Sequence, residues 1–296
     1  MQTRELKADA LLMITALIWG GAFVAQRLGM DHVGPFTFNA VRFALGAAAL
    51  APIAMRSHGT RGDALSGWKA AVGSLGAGAL LFAGSSLQQM GIIWTTAGNA
   101  GFITGLYVVI VPFLGLFFRQ RPGLGSWVGV VLAVSGMYFL SVTNGGIAMN
   151  KGDILVFVGA FFWAGHVLLL GWLAPRMNPI RLSCVQFACC SVLSFFVALP
   201  TETFTLTGLY GAAGPILYGG LMSTGVAYTL QAVAQQDAPP THAAIILSLE
   251  GAFAALTGWI ILDEMLTPRA LAGCALIFAG IVTAELAPNR TPSQAE

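Results

Sequence analysis

Apolar residues in this chain do not alternate with polar ones. They run together, and ten such runs follow one another over residues 9–27, 35–56, 68–90, 96–118, 125–142, 152–173, 180–199, 211–235, 241–262 and 269–287. A bilayer core needs about 20 mainly apolar residues per helix, so each run predicts a membrane-spanning helix. The breaks are short and carry turn chemistry: Gly34-Pro35, Arg121-Pro122-Gly123, Asn144-Gly145-Gly146, Asn178-Pro179, Ala238-Pro239-Pro240 and Thr267-Pro268. Pro35, Pro179 and Pro268 suit a first helical turn, where a missing N–H costs little. No break leaves room for a soluble domain, and residues 288–296 read as a disordered tail.

Composition agrees with the pattern. Of 296 residues, 56% are hydrophobic and 9% charged, against about 25% charged in soluble domains. Mean hydropathy is +0.78. Abundant glycine (37 residues) suits close packing between membrane helices. A net charge of +2 gives no reason to expect nucleic acid. Cys184, Cys189, Cys190 and Cys274 lie in apolar runs without CxxC spacing, which reads as small core hydrophobes. The first run follows Arg4 and Lys7, as a signal peptide would. No A-x-A site follows it and its core recurs later, so a retained helix is expected.

Lys and Arg set the expected orientation. With the N-terminus inside, ten of the 14 basic residues fall in inner segments, including Arg4, Lys7, Arg56, Arg61, Arg119, Arg121 and Arg290. Arg27, Lys151 and Arg269 fall outside, and Arg42 lies within a span. This bias requires an even number of spans and puts both termini in the cytoplasm.

The second half echoes the first. Ile18-Trp19-Gly20-Gly21 matches Phe162-Trp163-Ala164-Gly165 at an offset of 144, as Pro35 matches Pro179 and Gly136 matches Gly280. In between the offset slips to 143, where Leu87-Gln88 meets Leu230-Gln231 and Asn99-Ala100 meets His242-Ala243. Each unit has five spans, an odd number, so the two must have opposite orientation. Inverted repeats of this kind mark secondary transporters, whose sites lie near the midplane between the halves.

These residues resemble a known family. Leu17-Ile18-Trp19-Gly20 in the first helix, Leu249-Glu250-Gly251 in the ninth, and Leu262-Asp263-Glu264 after it (similar to the family's Leu-Gly-Glu) resemble the EamA-type repeats of the drug/metabolite transporter superfamily. The likeness covers nearly the whole chain. It implies an all-α integral membrane protein of ten helices in two inverted repeats, residues 9–142 and 152–287. It also implies a secondary transporter that exports small metabolites across the bacterial inner membrane, as amino-acid exporters of the YddG type do. Lipophilic drugs or cations and nucleotide sugars are the alternative cargoes. The first half departs from the pattern, with Gln120-Arg121 opposite Asp263-Glu264 and Tyr107 opposite Glu250.

The repeat pairs the candidate cavity residues. Trp19 stands with Trp163, Arg42 with Gln186, Gln88 with Gln231, Asn99 with His242, and Tyr107 with Glu250. Asn39, His166 and Tyr228 complete the set, His166 one turn from Trp163 on the same helical face. Arg42 and Glu250 are the charged residues clearly within spans, where a charge costs about 2.5–3.5 kcal/mol on insertion scales. Three readings of Glu250 stand side by side: an ammonium-binding group opposite Arg42, a proton carrier, or a structural contact. Arg42 either binds a carboxylate or snorkels inward. The two tryptophans either wall a cavity or pack as core. Gln88 and Gln231 either bind substrate or join helices. Asn99 with Tyr107, and His242 with Glu250, are expected to share a helix face. His166 and His242 either bind substrate or are hydrogen-bonded core, and His242, following Pro239-Pro240, alternatively caps the ninth helix near the inner surface. Gly84, Gly101, Gly105 and Gly225 are expected at close helix contacts, and Pro112 at a kink.

No Walker loop, nucleophile elbow, HExxH or paired acid constellation appears. An enzyme is therefore not expected, nor a cofactor or a metal. The expected partners are a small-molecule substrate, the bilayer and, on one reading of Glu250, protons. Oligomeric state is not readable from the sequence.

Overall fold

Ten helical segments carry the chain through a computed structural model that describes residues 2–57, 65, 67–118, 122–141, 150–265 and 268–286. They are α1 (Gln2–Gly29), α2 (Pro35–Arg56), α3 (Gly67–Gly91), α4 (Ala97–Phe117), α5 (Leu124–Ser141), α6 (Lys151–Leu173), α7 (Pro179–Thr201), α8 (206–234), α9 (Pro240–Leu262) and α10 (Pro268–Leu286). No strand occurs among the described residues. Seven segments, all but α5, α8 and α10, are long and apolar enough to cross a membrane. α5 and α10 hold shorter apolar cores, Leu124–Gly136 and Leu271–Gly280. The chain is thus a multi-span helical membrane protein.

The helix starts follow from local chemistry. Pro35, Pro179 and Pro268 open α2, α7 and α10. Asn150 and Asp153 form a reciprocal capping box on α6, each side chain accepting from the other's backbone N–H at 2.9 and 3.0 Å. Thr96 and Asn178 cap α4 and α7. The outward faces carry large apolar side chains such as Phe117, Trp68 and Phe196. In water such a surface would be an aggregation liability; against acyl chains it is at no disadvantage.

Packing interlocks the two halves. α1 lies against α8 and α9, and its repeat counterpart α6 lies against α3 and α4. α2 packs on α7, α4 on α9 and α5 on α10, each against its own counterpart. The close α4–α9 crossing requires glycine: a Cβ on Gly101 would meet Ala254 Cβ at 2.6 Å, and one on Gly251 would meet the Gly101 carbonyl oxygen at 3.3 Å.

Three segments depart from regular helix. α4 tightens at Leu106 (φ −59°, ψ −14°) and α9 at Ser248 (φ −60°, ψ −15°), so equivalent helices break at nearly equivalent places. The expected kink at Pro112 is not where α4 breaks: Pro112 lies inside the second piece, Tyr107–Phe117. The third departure is α8, which is not one regular helix over 211–235. It begins with the short pieces Leu206–Gly211 and Ala213–Leu217, then widens into π turns over Tyr218–Tyr228. Cys184, Cys189 and Cys190 are free thiols. The turn at Asn144-Gly145-Gly146, the Gln120-Arg121 pair, Arg61, Arg119, Arg290, the side chain of Cys274 and the tail 288–296 lie outside the described residues.

Candidate functional site

Both tryptophans reach across the interface between the repeats. Trp163 of α6 donates its indole N–H to Gln88 Oε1 of α3 at 3.0 Å. Trp19 of α1 donates to the Ser223 carbonyl of α8 at 3.3 Å. α3 and α8 are counterparts, so the two contacts are equivalent in place but not in kind. Gly84 makes the first possible, since a Cβ there would stand 3.0 Å from the Trp163 ring. The π turns make the second possible: widened turns leave carbonyls open to outside donors. Thr15 uses another of them, donating to the Ala227 carbonyl at 3.2 Å.

Between these contacts lies a cavity of about 30 Å³, room for about two water molecules. Its aromatic wall centres on Tyr228, 4.5 Å from Trp19 and 6.1 Å from Trp163 between ring centroids. His166 meets the Tyr228 ring edge-on. Its Nε2 donates to Gln186 Oε1 at 2.9 Å, which holds the imidazole toward the cavity.

Two charged residues line this space. Arg42 is 1% exposed, so it does not snorkel to the surface. Its guanidinium lies over the Phe43 ring at 4.7 Å, and Nε donates to Asn39 Oδ1 at 2.9 Å. Glu250 is 3% exposed and sits just after the break in α9. Its counterpart Tyr107, just after the break in α4, turns toward it. The Tyr107 hydroxyl and the Glu250 carboxyl interact with each other outside strict hydrogen-bond geometry, and Glu250 Oε1 has no other partner among the described residues. No ion pair joins Arg42 to Glu250 there either. An acidic and a basic side chain therefore line one buried space with no ion pair between them among the described residues.

Gln88 is the best-connected polar side chain of the site. Its Oε1 accepts from Trp163 and from Thr104 Oγ1 (3.2 Å), and its Nε2 donates to Gln26 Oε1 at 2.9 Å. Its counterpart Gln231 also lines the cavity, but Gln231 Oε1 has no partner among the described residues. The repeat gives no pointer to Gln26 or Thr104, because Leu170 and Leu247 occupy their counterpart positions. The only available signal was a polar side chain inside an apolar run.

Nine of the expected residues thus meet at the cavity: Trp19, Arg42, Gln88, Tyr107, Trp163, His166, Tyr228, Gln231 and Glu250. Asn39 and Gln186 stand behind Arg42 and His166. Two do not belong. Asn99 is in the first turn of α4, its backbone N–H bonded to the Thr96 cap. His242 is in the first turn of α9 and pairs with Asp9 at 2.7 Å. Both lie eight residues from their partners Tyr107 and Glu250. A shared face does not bring them to the cavity, because two helical turns carry them about 12 Å along the axis.

Polar contacts between the repeats close both ends of the bundle. At the end where α1 begins, Asp9 meets His242, and Asn178 Nδ2 donates to Ser57 Oγ at 2.6 Å. At the opposite end Glu202 accepts from Phe36 and Thr37 N–H at the start of α2 (2.8 and 2.7 Å). Glu264 likewise accepts from Ala97 and Gly98 N–H at the start of α4 (2.9 and 3.2 Å). A carboxylate on a helix N-terminus satisfies orphan donors and complements the helix dipole.

An interlocked two-repeat helical bundle around a buried polar cavity is the build of a membrane transporter. The chain belongs to the EamA-like transporter family, whose model matches residues 6–142 and 150–284. An uncharacterized transporter of Archaeoglobus fulgidus is 34% identical over 287 residues, 96% of this chain and 87% of the relative. A protein of Streptantibioticus cattleyicolor named "Probable terminal-alkyne amino-acid exporter" is 23% identical over 282 residues, 93% of this chain and 92% of the relative. A crystal structure of another protein superposes with a TM-score of 0.74 at 17% identity, covering 94% of this chain and 96% of that one, a likeness of fold. These names point to a transporter rather than an enzyme.

Proposed function

We propose that the protein is a secondary transporter that exports small metabolites, amino acids foremost, across the bacterial inner membrane by alternating access. The observation that carries this reading is the buried cavity lined by Arg42 and Glu250 with no ion pair between them among the described residues. A zwitterion would place its carboxylate on the guanidinium and its ammonium on the glutamate, with an apolar side chain against Trp19, Trp163 and Tyr228. Arg is suited to carboxylates and aromatic faces to ammonium groups and apolar bodies. The exporter name of the S. cattleyicolor relative is in keeping with this cargo.

The cavity is smaller than any amino acid, so loading requires the α1–α8 and α3–α6 contacts to move apart. Breaks at Leu106 and Ser248 supply short stiff segments that can tilt separately. The bias of basic residues supports a cytoplasmic side for both termini. Under this reading the Asp9–His242 contact closes the cytoplasmic end, and the Glu202 and Glu264 contacts close the other.

The test is counterflow into liposomes holding purified protein, with a panel of labelled amino acids, a lipophilic cation and a nucleotide sugar. Exchange of one or more amino acids above empty vesicles is expected. Exchange of the cation alone would replace the cargo. No exchange of any solute would reject transport.

A further inference from the structure

α2 and α7 pack along their length, yet their two ends differ. At one end the Glu202 carboxylate seals the seam on the α2 N-terminus. At the other, where Asn178 Nδ2 donates to Ser57 Oγ across the same seam, the outer face carries a shallow groove of about 330 Å³. Its walls are Ala51, Ala54 and Met55 of α2 and Cys184 and Val185 of α7; the remaining lining residue is Arg181. Short side chains on both helices leave the volume, and Met55 (77% exposed) and Val185 (38%) show that it faces outward.

Arg181 reaches over this groove. Its Nε donates to the Ala54 carbonyl across the seam at 3.3 Å, which fixes the guanidinium at the mouth. It forms no ion pair with an acid among the described residues. Arg56, the last residue of α2, adds a second exposed cation beside Met55. An apolar slot topped by unneutralised arginines complements an acyl chain carrying a negatively charged head group. Basic pockets between membrane helices at the cytoplasmic side bind anionic lipid heads.

We propose that this groove binds an anionic phospholipid, the phosphate on Arg181 and one acyl chain between α2 and α7. The site is separate from the central cavity: of its residues none lines that space. It requires only that the chain lie in a bilayer, not that it export amino acids. Its place on the α2–α7 pair gives it a consequence, because these counterpart helices must shift against each other when the repeats rock.

Native mass spectrometry of the purified full-length protein tests this, with phosphatidylglycerol and phosphatidylcholine of matched chains. Wild type should retain the anionic lipid about fivefold over the zwitterionic one, the effect of one basic side chain at an anionic head group. Arg181→Gln should abolish the preference and Arg181→Lys should keep it. Val185→Trp, which fills the groove, should lower retention of both lipids, whereas Arg27→Gln at the far end should change nothing. Equal retention of the two lipids by wild type, or a preference that survives Arg181→Gln, overturns the proposal. So does displacement of the lipid by equimolar glycerol 3-phosphate, which would make the site a phosphate site. A dimer lost on Val185→Trp would instead assign the groove to a second copy of the chain and overturn it equally.

Discussion

The α3–α6 and α1–α8 contacts occupy the same place in the two repeats, but different parts of the chain hold them. Trp163 meets a side chain, Gln88, which also binds Thr104 and Gln26. Trp19 meets a backbone carbonyl laid open by the π turns of α8, and Tyr218 returns a bond from α8 to the Ile18 carbonyl at 3.0 Å. One contact depends on a single glutamine and can be cut by mutation. In the other the acceptors are backbone carbonyls, so only its donors, Trp19 and Tyr218, can be removed by substitution. Two repeats can thus keep one geometry while their chemistry diverges, and the same holds at the helix breaks, where Tyr107 faces Glu250.

The strongest way to break the comparison is at those breaks. Glu250→Gln should lower amino-acid counterflow by about tenfold to hundredfold, the worth of a charged hydrogen bond, whereas Tyr107→Phe should cost about tenfold at most. If Glu250 carries a proton, the flux that remains in the glutamine variant should also no longer respond to a pH gradient. Gradient-driven flux unchanged in Glu250→Gln would end the proton role.

Next comes the glutamine pair. Gln88→Ala removes three hydrogen bonds between helices and should lower stability by about 2 kcal/mol, at roughly 0.6 kcal/mol each in a membrane. Gln231→Ala should cost well under half of that. Thermal unfolding in detergent reads both, and equal losses would mean that the two contacts differ in geometry but not in energy.

Glu264→Gln tests the polar closure of one end. It keeps an acceptor but removes the charge from the α4 N-terminus, so a loss of about 1 kcal/mol is expected in the same assay. A variant as stable as wild type would show that the charge contributes nothing there. The smallest effect is expected one residue earlier. Asp263 is left-handed (φ 53°) where the family motif has glycine. Asp263→Gly should raise stability by about 1 kcal/mol or less, since a side chain is disfavoured in that conformation. A fall on this substitution would assign the aspartate a contact of its own.

Most of the fold was legible in the chain. Length and apolarity predicted ten helices, most within two residues of their ends, though α1 begins at Gln2 rather than residue 9 and α8 at Leu206 rather than residue 211, because a bilayer leaves backbone few alternatives to helix. The offset of 143–144 paired Trp19 with Trp163 and Gln88 with Gln231 before any contact was known. Pro112 misled, because a proline constrains φ and one hydrogen bond but does not dictate where a helix breaks when neighbours can hold it straight. Asn99 misled because pairing in a repeat fixes register along a helix, not depth relative to a cavity; of the readings of His242, the one at the start of the ninth helix agrees with its place in the first turn of α9. Gln26 and Thr104 stayed hidden because their roles depend on partners 62 and 16 residues away.

By itself, then, the sequence determined a membrane-embedded helical bundle, its doubling, and the polar residues it hides in apolar runs. Periodicity and hydropathy are local properties and can be read locally. The tertiary structure alone decided that Arg42 and Glu250 share a cavity without pairing. It also decided that Trp19 finds a backbone carbonyl where Trp163 finds a glutamine, and that Arg181 overhangs an open groove. Each of these depends on how helices distant in the chain cross, and side-chain volumes summed over many contacts determine that crossing.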